Sequence, residues 1–202
     1  MKKVGLYFGT FNPIHVGHLI IANHMADHTE LDEVWLVVTP QNPLKQKSTL
    51  LADYHRLALT RIAVEDNPKL RVSDVEFSLA KPSFTAATLA YLTDAHRGTE
   101  FSLIMGEDNL RTFHKWKNHE AILENHHIFV YPRVLTIQEK EDLKPHRTMA
   151  KIGDNANIHQ VDAPVMKLSA SFVRDAIKRG HDVKYLLTEP VYNYLREMHF
   201  YE

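Results

Sequence analysis

Short apolar runs alternate along this 202-residue chain with longer stretches in which apolar residues recur at helical spacing. The apolar runs predict strands over residues 4–8, 34–38, 70–72, 101–105, 127–131 and 157–161. Helical spacing predicts helices from residue 19 and over residues 52–65, 86–95, 118–124, 171–179 and 191–198. Residues 134–155 are charged and weakly periodic, and we expect an irregular excursion there.

The alternation of strands and helices predicts an α/β fold, with a doubly wound, mostly parallel sheet and helices on both faces. No internal repeat and no linker rich in glycine and serine divides the chain, so we expect a single domain over residues 1–202. In such a sheet, ligands bind beyond the carboxyl ends of the strands, where the strand order reverses. A 3-2-1-4-5 order places that crevice between the first and fourth strands.

Unusual turns follow both of these strands. The first strand runs into residues 9–18 (GTFNPIHVGH), and the fourth ends in residues 106–109 (GEDN). The two turns lie far apart in sequence, yet the expected fold brings both to one crevice. This convergence favours a nucleotide-binding site.

The first turn has the chemistry of a phosphate site. The backbone N–H groups at a helix N-terminus are unsatisfied, and the helix dipole adds partial positive charge there. His15 and His18 are three residues apart, so both can face one side of the first helical turn and donate to phosphate oxygens. Gly9 removes a side chain where backbone and ligand come close, and Gly17 lets the helix begin against a bulky anion. The alternative is a Gly/Pro turn with incidental histidines.

A second candidate phosphate site lies near the other end of the chain. Ser169 is a plausible N-cap for the helix predicted from residue 171. Ser171 would then lie in the first helical turn, and Arg174 would follow one turn later with a planar fork suited to phosphate. The alternative is an ordinary capped surface helix, and its pairing with the two histidines favours the functional interpretation.

The composition of the chain argues against nucleic acid and membranes as binding partners. The net charge of −1 argues against nucleic acid, and no run approaches the ~20 apolar residues of a membrane span. With no signal-peptide pattern, we expect a cytoplasmic protein without a membrane partner. There is no cysteine, and most of the 14 histidines are scattered singly, so we predict neither disulfides nor a protein metal site. The oligomeric state stays open, a homo-oligomer included.

These motifs resemble those of the nucleotidyltransferase α/β-phosphodiesterase superfamily and, more closely, the bacterial nicotinate-nucleotide adenylyltransferase family. Residues 9–18 match the superfamily's first motif, and residues 168–174 (LSASFVR) match its second, I-S-x-[ST]-x-x-R. Residues 81–85 (KPSFT) resemble the family's P-S-[YF]-T segment, and residues 106–116 (GEDNLRTFHKW) its G-x-D…W segment. The resemblance covers nearly the whole chain and implies a Rossmann-like nucleotidyltransferase fold. Asn12 departs from the aspartate of many relatives.

The resemblance implies transfer of AMP from ATP to nicotinate mononucleotide, with release of pyrophosphate and with Mg²⁺ bridging phosphate oxygens. The implied catalytic residues are His15, His18 and Arg174. The residues implied to bind ATP are Gly9, Thr10, Phe11, Gly17, Gly106, Asp108, Ser169 and Ser171. Those implied to bind nicotinate mononucleotide are Asn12, Lys45, Ser83, Phe84, Thr85, Trp116 and Arg133.

The resemblance also suggests individual roles. His18 stabilises the α-phosphate in the transition state, and Arg174 with the two serines holds the leaving phosphates. Trp116 stacks on the pyridine ring, unless it is merely a surface-packed aromatic. Backbone N–H groups of Phe84 and Thr85 donate to the nicotinate carboxylate, which favours the acid over the amide. Lys45 is a phosphate ligand or simply a solvated loop charge.

Other functions share parts of this pattern. Pantetheine-phosphate adenylyltransferases and cytidylyltransferases also carry H-x-G-H, but the KPSFT and GEDN…W segments together favour nicotinate mononucleotide. A non-catalytic nucleotide sensor is the alternative from a different class. The presence of His15, His18 and Arg174 together favours an enzyme.

Overall fold

The structure, a computed structural model, describes residues 1–40, 50–133 and 155–202. The strands of these residues form one parallel sheet in the order β3-β2-β1-β4-β5-β6, so the order reverses between β1 and β4. The strands are β1 (Lys2–Gly9), β2 (Glu33–Val38), β3 (Leu70–Ser73), β4 (Thr99–Gly106), β5 (Ile128–Tyr131) and β6 (Ile158–Gln160). The predicted α/β class and the predicted strand order are both confirmed.

Helices connect the strands, and each predicted helix is present. They are α1 (Val16–His28), α2 (Asp53–Val64), α3 (Val75–Ser78), α4 (Thr85–Ala95), α5 (Glu107–Thr112), α6 (His119–Asn125), α7 (Ala170–Lys178) and α8 (Glu189–Glu197). The sequence did not predict α3 and α5, because so few residues show too little periodicity. The irregular excursion expected over residues 134–155 lies outside the described residues, apart from Asn155.

Two apolar cores cover the two faces of the sheet. Val4 and Leu6 of β1 belong to the core under α4 and α6, whereas Tyr7 belongs to the core under α1, α2, α7 and α8. Alternation of this kind follows from the two-residue period of a strand. In β2, Leu36 and Val37 enter opposite cores and are both fully buried, as the apolar run predicted.

The sheet brings the ends of β1 and β4 side by side. Tyr7 pairs with Ile104 in the ladder between them, so the chain leaves both strands at the same edge. β5 ends there as well, because Gly106 pairs with Tyr131. Within the described ranges, no helix combines the length and the apolar character that crossing a bilayer requires.

Candidate active site

A cavity of about 650 Å³ opens at the carboxyl edge of β1 and β4. Its volume lies in the range of small-molecule sites. Residues from the first motif and from the start of α7 line the same cavity, although they come from opposite ends of the chain. The predicted residues among its lining are Gly9, Thr10, Phe11, Asn12, His15, Gly17, His18, Asp108, Arg133, Ser169, Ser171 and Arg174.

The two histidines of the first motif lie against each other at the start of α1. His15 is the N-cap residue, and its ring stacks on that of His18 with 3.7 Å between centroids. The backbone N–H of His15 donates to Nδ1 of His18 over 3.3 Å. A neutral His18 therefore carries its proton on Nε2 and can donate from that atom. A Cβ on Gly17 would come within 3.0 Å of the His15 ring, so a glycine permits this stack.

Burial keeps both imidazoles neutral. It lowers the pKa of His15 from its ordinary value to about 4. Burial also holds the pKa of His18 well below its usual range, and the neighbouring His15 adds to this effect. Each ring consequently offers one N–H to a ligand near neutral pH, and neither carries a resident positive charge.

Arg174 joins the two ends of the chain. Its guanidinium donates to the backbone carbonyl of Asn12 over 2.8 Å and to Oγ of Ser171 over 3.0 Å. Ser169 is the N-cap of α7, as predicted, and its Oγ accepts from the backbone N–H of Phe172. These contacts fix the guanidinium and the N-terminus of α7 beside the first motif, where both favour an anion.

Arg56 anchors the loop of the first motif from beneath, and sequence reasoning did not find it. Its side chain is fully buried in α2 and donates to the carbonyls of Thr10, Thr39 and Pro40 over 2.6–2.8 Å. It also pairs with Asp53. One arginine thereby ties the loop after β1 to the loop after β2.

The opposite wall of the cavity follows β4 and β5. Asp108 forms an ion pair with Arg133, which joins a predicted ATP residue to a predicted mononucleotide residue. A Cβ on Gly106 would come within 2.5 Å of the Asp108 carboxylate, so glycine allows this approach. The hydroxyls of Tyr7 and Tyr131 lie 3.2 Å apart in the same wall.

The remaining predicted acceptor residues lie outside the lining of this cavity. Phe84 is the N-cap residue of α4, and Thr85 is its first residue, so their N–H groups are at a helix N-terminus. Trp116 is half-buried and contacts the ring of Phe113, whereas Lys117 places its ammonium 4.6 Å from the Phe84 ring centre. The start of α4 and residues 116–117 are thus neighbours.

Three other predicted residues are also not found in the cavity lining. Ser83 and Gly106 do not line the cavity, and Lys45 lies outside the described residues.

A buried carboxyl group supports the segment before α4. Thr88 of α4 donates to Oε1 of Glu76 over 2.9 Å, and both residues are buried. Burial raises the pKa of Glu76, while hydrogen bonds from Thr88 and Ser83 act in the opposite direction. Glu76 was not predicted as a site residue, because a single glutamate in a short segment carries no sequence signal for burial.

A profile of the cytidylyltransferase-like family matches residues 6–176. A protein of Flavobacterium johnsoniae named "Probable nicotinate-nucleotide adenylyltransferase" is 52% identical over 200 residues, which cover 99% of each chain. A protein of Christiangramia forsetii with the same name is 49% identical over 100% of this chain and 99% of its own. The two relatives are similar to this chain over nearly its full length.

Solved structures share the fold at low identity. Plasmodium falciparum nicotinic acid mononucleotide adenylyltransferase complexed with NaAD has a TM-score of 0.79 at 18% identity, covering 100% of this chain and 98% of that one. A nicotinate-nucleotide adenylyltransferase structure from Vibrio parahaemolyticus, titled putative, has a TM-score of 0.70 at 20% identity, with 97% and 99% covered. With the near-identical length and high identity of its relatives, this chain belongs to the nicotinate-nucleotide adenylyltransferase family within the cytidylyltransferase-like proteins.

Proposed function

We propose that this enzyme transfers the adenylyl group of ATP to nicotinate mononucleotide, giving nicotinate adenine dinucleotide and pyrophosphate. The proposal rests mainly on one observation: the histidine pair of the first motif and the start of α7 line the same cavity. Arg174 of α7 is hydrogen-bonded to Asn12 of the first motif and to Ser171 of its own helix. Full-length relatives that bear the name of this activity support it.

The reaction needs no covalent bond to the protein. A phosphate oxygen of nicotinate mononucleotide attacks the α-phosphorus of ATP, and a new P–O bond forms there. The bond from the α-phosphorus to the bridging oxygen breaks, and pyrophosphate leaves with the electron pair. The attacking phosphate is already an anion near neutral pH, because its second pKa is about 6. Positioning and charge stabilisation therefore suffice for catalysis.

The residues of the first motif would act on the α-phosphate. Nε2–H of His18 would donate to a non-bridging oxygen as negative charge develops on it. Because burial keeps His15 and His18 neutral, bound polyphosphate rather than resident charge would decide whether either ring gains a proton. Arg174, with Ser169 and Ser171, would hold the departing pyrophosphate.

ATP-dependent nucleotidyl transfer generally uses a divalent metal, and we assign Mg²⁺ to this role. Among the described residues, no group of three or more histidine, aspartate or glutamate side chains is placed to hold a metal ion. The donor set of the cavity is instead rich in N–H and O–H groups, which suit phosphate. This set fits a Mg²⁺ ion that would enter with ATP and would offset phosphate charge.

The acceptor side would select the acid form of the mononucleotide. Backbone N–H groups at the start of α4 are donors only, so they suit a carboxylate better than an amide. Trp116 would offer a ring face to the pyridine, and Arg133, released from Asp108, would be free to meet the mononucleotide phosphate. We expect a cytoplasmic enzyme that acts without nucleic acid.

Pyrophosphate release, measured with a panel of acceptors, tests the proposal. Purified protein with ATP and Mg²⁺ should turn over nicotinate mononucleotide with a kcat/KM at least ~10-fold above that for nicotinamide mononucleotide. Phosphopantetheine as acceptor, and CTP in place of ATP, serve as controls and should give little product. Faster turnover with either control would contradict the proposed substrates. Equal kcat/KM for nicotinate mononucleotide and nicotinamide mononucleotide would reject only the proposed carboxylate-binding role of the α4 N–H groups. It would leave the proposed adenylyl transfer standing.

A further inference from the structure

The penultimate residue of the chain reaches the first motif. The hydroxyl of Tyr201 donates to Oδ1 of Asn12 over 2.7 Å, across 189 positions of sequence. The same oxygen accepts the backbone N–H of Leu51 over 3.1 Å. Two donors on Oδ1 determine which side of the Asn12 amide carries oxygen, so its orientation is set by the fold.

Asn12 is also hydrogen-bonded within the phosphate half of the site, which comprises the first motif and the start of α7 with Arg174. Its backbone carbonyl accepts the 2.8 Å hydrogen bond from Arg174, and the residue lines the cavity. A shift of Asn12 would therefore move the acceptor that holds the Arg174 guanidinium. Tyr201 is thus connected to Arg174 through one intermediate residue, Asn12.

The backbone conformation of residues 199–201 places Tyr201 next to Asn12. His199 and Tyr201 both have positive φ angles, 51° and 68°, which residues other than glycine rarely adopt. Conformations of this kind persist where surrounding contacts over-determine them. Here the Phe200 ring packs on His55 of α2 with 4.6 Å between centroids. The backbone N–H of Phe200 also donates to the carbonyl of Leu195.

The setting of the Tyr201 hydroxyl keeps it a donor. Burial raises the pKa of Tyr201, and the nearby positive charges of Arg174 and Arg56 lower it only in part. The hydroxyl stays protonated throughout the neutral range, so its hydrogen bond to Asn12 does not change with pH there.

We infer that Tyr201 is a positioning residue for the transfer reaction, which it supports by fixing Asn12 and, through Asn12, Arg174. This inference rests on the proposed function.

A double-mutant cycle tests the inference. Tyr201→Phe removes one hydroxyl and should lower kcat/KM for ATP with nicotinate mononucleotide about 10-fold, because a small misplacement of phosphate ligands is costly. The same change made in an Asn12→Ala background should have little further effect, since the side-chain oxygen that accepts the Tyr201 hydroxyl is already gone while the backbone carbonyl bonded to Arg174 remains. A loss that multiplies with Asn12→Ala, or an unchanged kcat/KM in Tyr201→Phe, would overturn the inference.

Tyr194→Phe is the matched control. Tyr194 lies in α8, and its hydroxyl is hydrogen-bonded to Nδ1 of His55 over 3.0 Å, away from the residues that line the cavity. Both variants lose one hydroxyl from the same packed region, so their unfolding midpoints should fall by similar small amounts. Only Tyr201→Phe should lose activity, and equal losses would make its role structural. A wild-type protein without turnover would count against the proposed function instead.

Discussion

The phosphate half of the proposed site is assembled differently from its acceptor half, which comprises the start of α4 and Trp116. Asn12 and His15 of the phosphate half are buried, and this half is held by hydrogen bonds that span the chain, such as the one from Arg174 to Asn12 across 162 positions. The acceptor half is held by contacts between residues closer in sequence, such as the hydrogen bond from Thr88 to Glu76 across 12 positions. Its Phe84 is exposed. Fixed donors suit the stabilisation of developing charge, whereas an exposed platform suits recognition of a substrate. Substitutions in the two halves should therefore affect kcat and KM differently.

His18→Ala should produce the largest effect. Removing one preorganised donor from a transition-state charge typically costs ~10²–10³ in rate, so kcat should fall by that factor. Steady-state kinetics with ATP and nicotinate mononucleotide measure it. His24→Ala is the matched control, because His24 also stacks on a histidine of α1 but does not line the cavity. Near-normal kcat in His18→Ala would remove this residue from its assigned role.

Arg56→Ala should test how strongly the fold holds the first motif. The substitution removes a fully buried side chain and leaves the carbonyls of Thr10, Thr39 and Pro40 without this donor, which should cost about 3–5 kcal/mol in the free energy of unfolding. Denaturant unfolding measures this value. Arg61→Ala in the same helix breaks only an exposed ion pair with Asp74 and should cost less than about 1 kcal/mol. Similar losses in both variants would show that the buried network contributes little.

Acid should weaken the phosphate half through its neutral histidines. The pKa of His15 is about 4 in the folded protein and about 6.5 when unfolded, so its stabilising contribution is complete above pH 6.5. That contribution is lost as the pH falls towards 4, and about 2–3 kcal/mol should be gone by pH 4.5.

Unfolding free energies at pH 7.5 and pH 4.5 test this effect. Wild type should lose about 2–3 kcal/mol more than His15→Asn between these values, because the variant has no proton to take up at this position. His181→Ala, which removes an exposed histidine that does not line the cavity, is the matched control. Identical pH dependence in wild type and His15→Asn would contradict the prediction.

Trp116→Ala should give the smallest of these effects and the one confined to the acceptor half. Loss of a stacking face should raise KM for nicotinate mononucleotide about 10-fold and leave kcat within about 2-fold. Trp116→Phe keeps an aromatic face and should restore most of the affinity. An unchanged KM in Trp116→Ala would mean that the half-buried ring only packs on Phe113.

The order of elements and much of the phosphate half could be predicted from local patterns. Alternating apolar runs and helical periodicity determine strands and helices, and these signals need no tertiary information. Ser169 was predicted as an N-cap because that role depends on the next few residues alone. The short helices α3 and α5 were missed, since they are too short to show a period.

Several supporting residues could not be predicted, because their partners lie far away in sequence. Nothing near Arg56 indicates that it is fully buried beneath the first motif, and Glu76 gives no sign of its buried bond to Thr88. Tyr201 gives no local sign of its hydrogen bond to Asn12, which lies 189 positions away. Charged and polar side chains are normally exposed, so their burial depends on partners that only the folded chain supplies.

Neighbouring residues encode the parallel α/β framework and each of the two phosphate motifs, so local patterns were enough to predict them. The folded chain was needed to show that these motifs line one cavity, that burial keeps both stacked histidines neutral, and that Tyr201 is hydrogen-bonded to Asn12. Burial and hydrogen-bond direction depend on all the atoms around a group, and most of those atoms belong to segments distant in sequence.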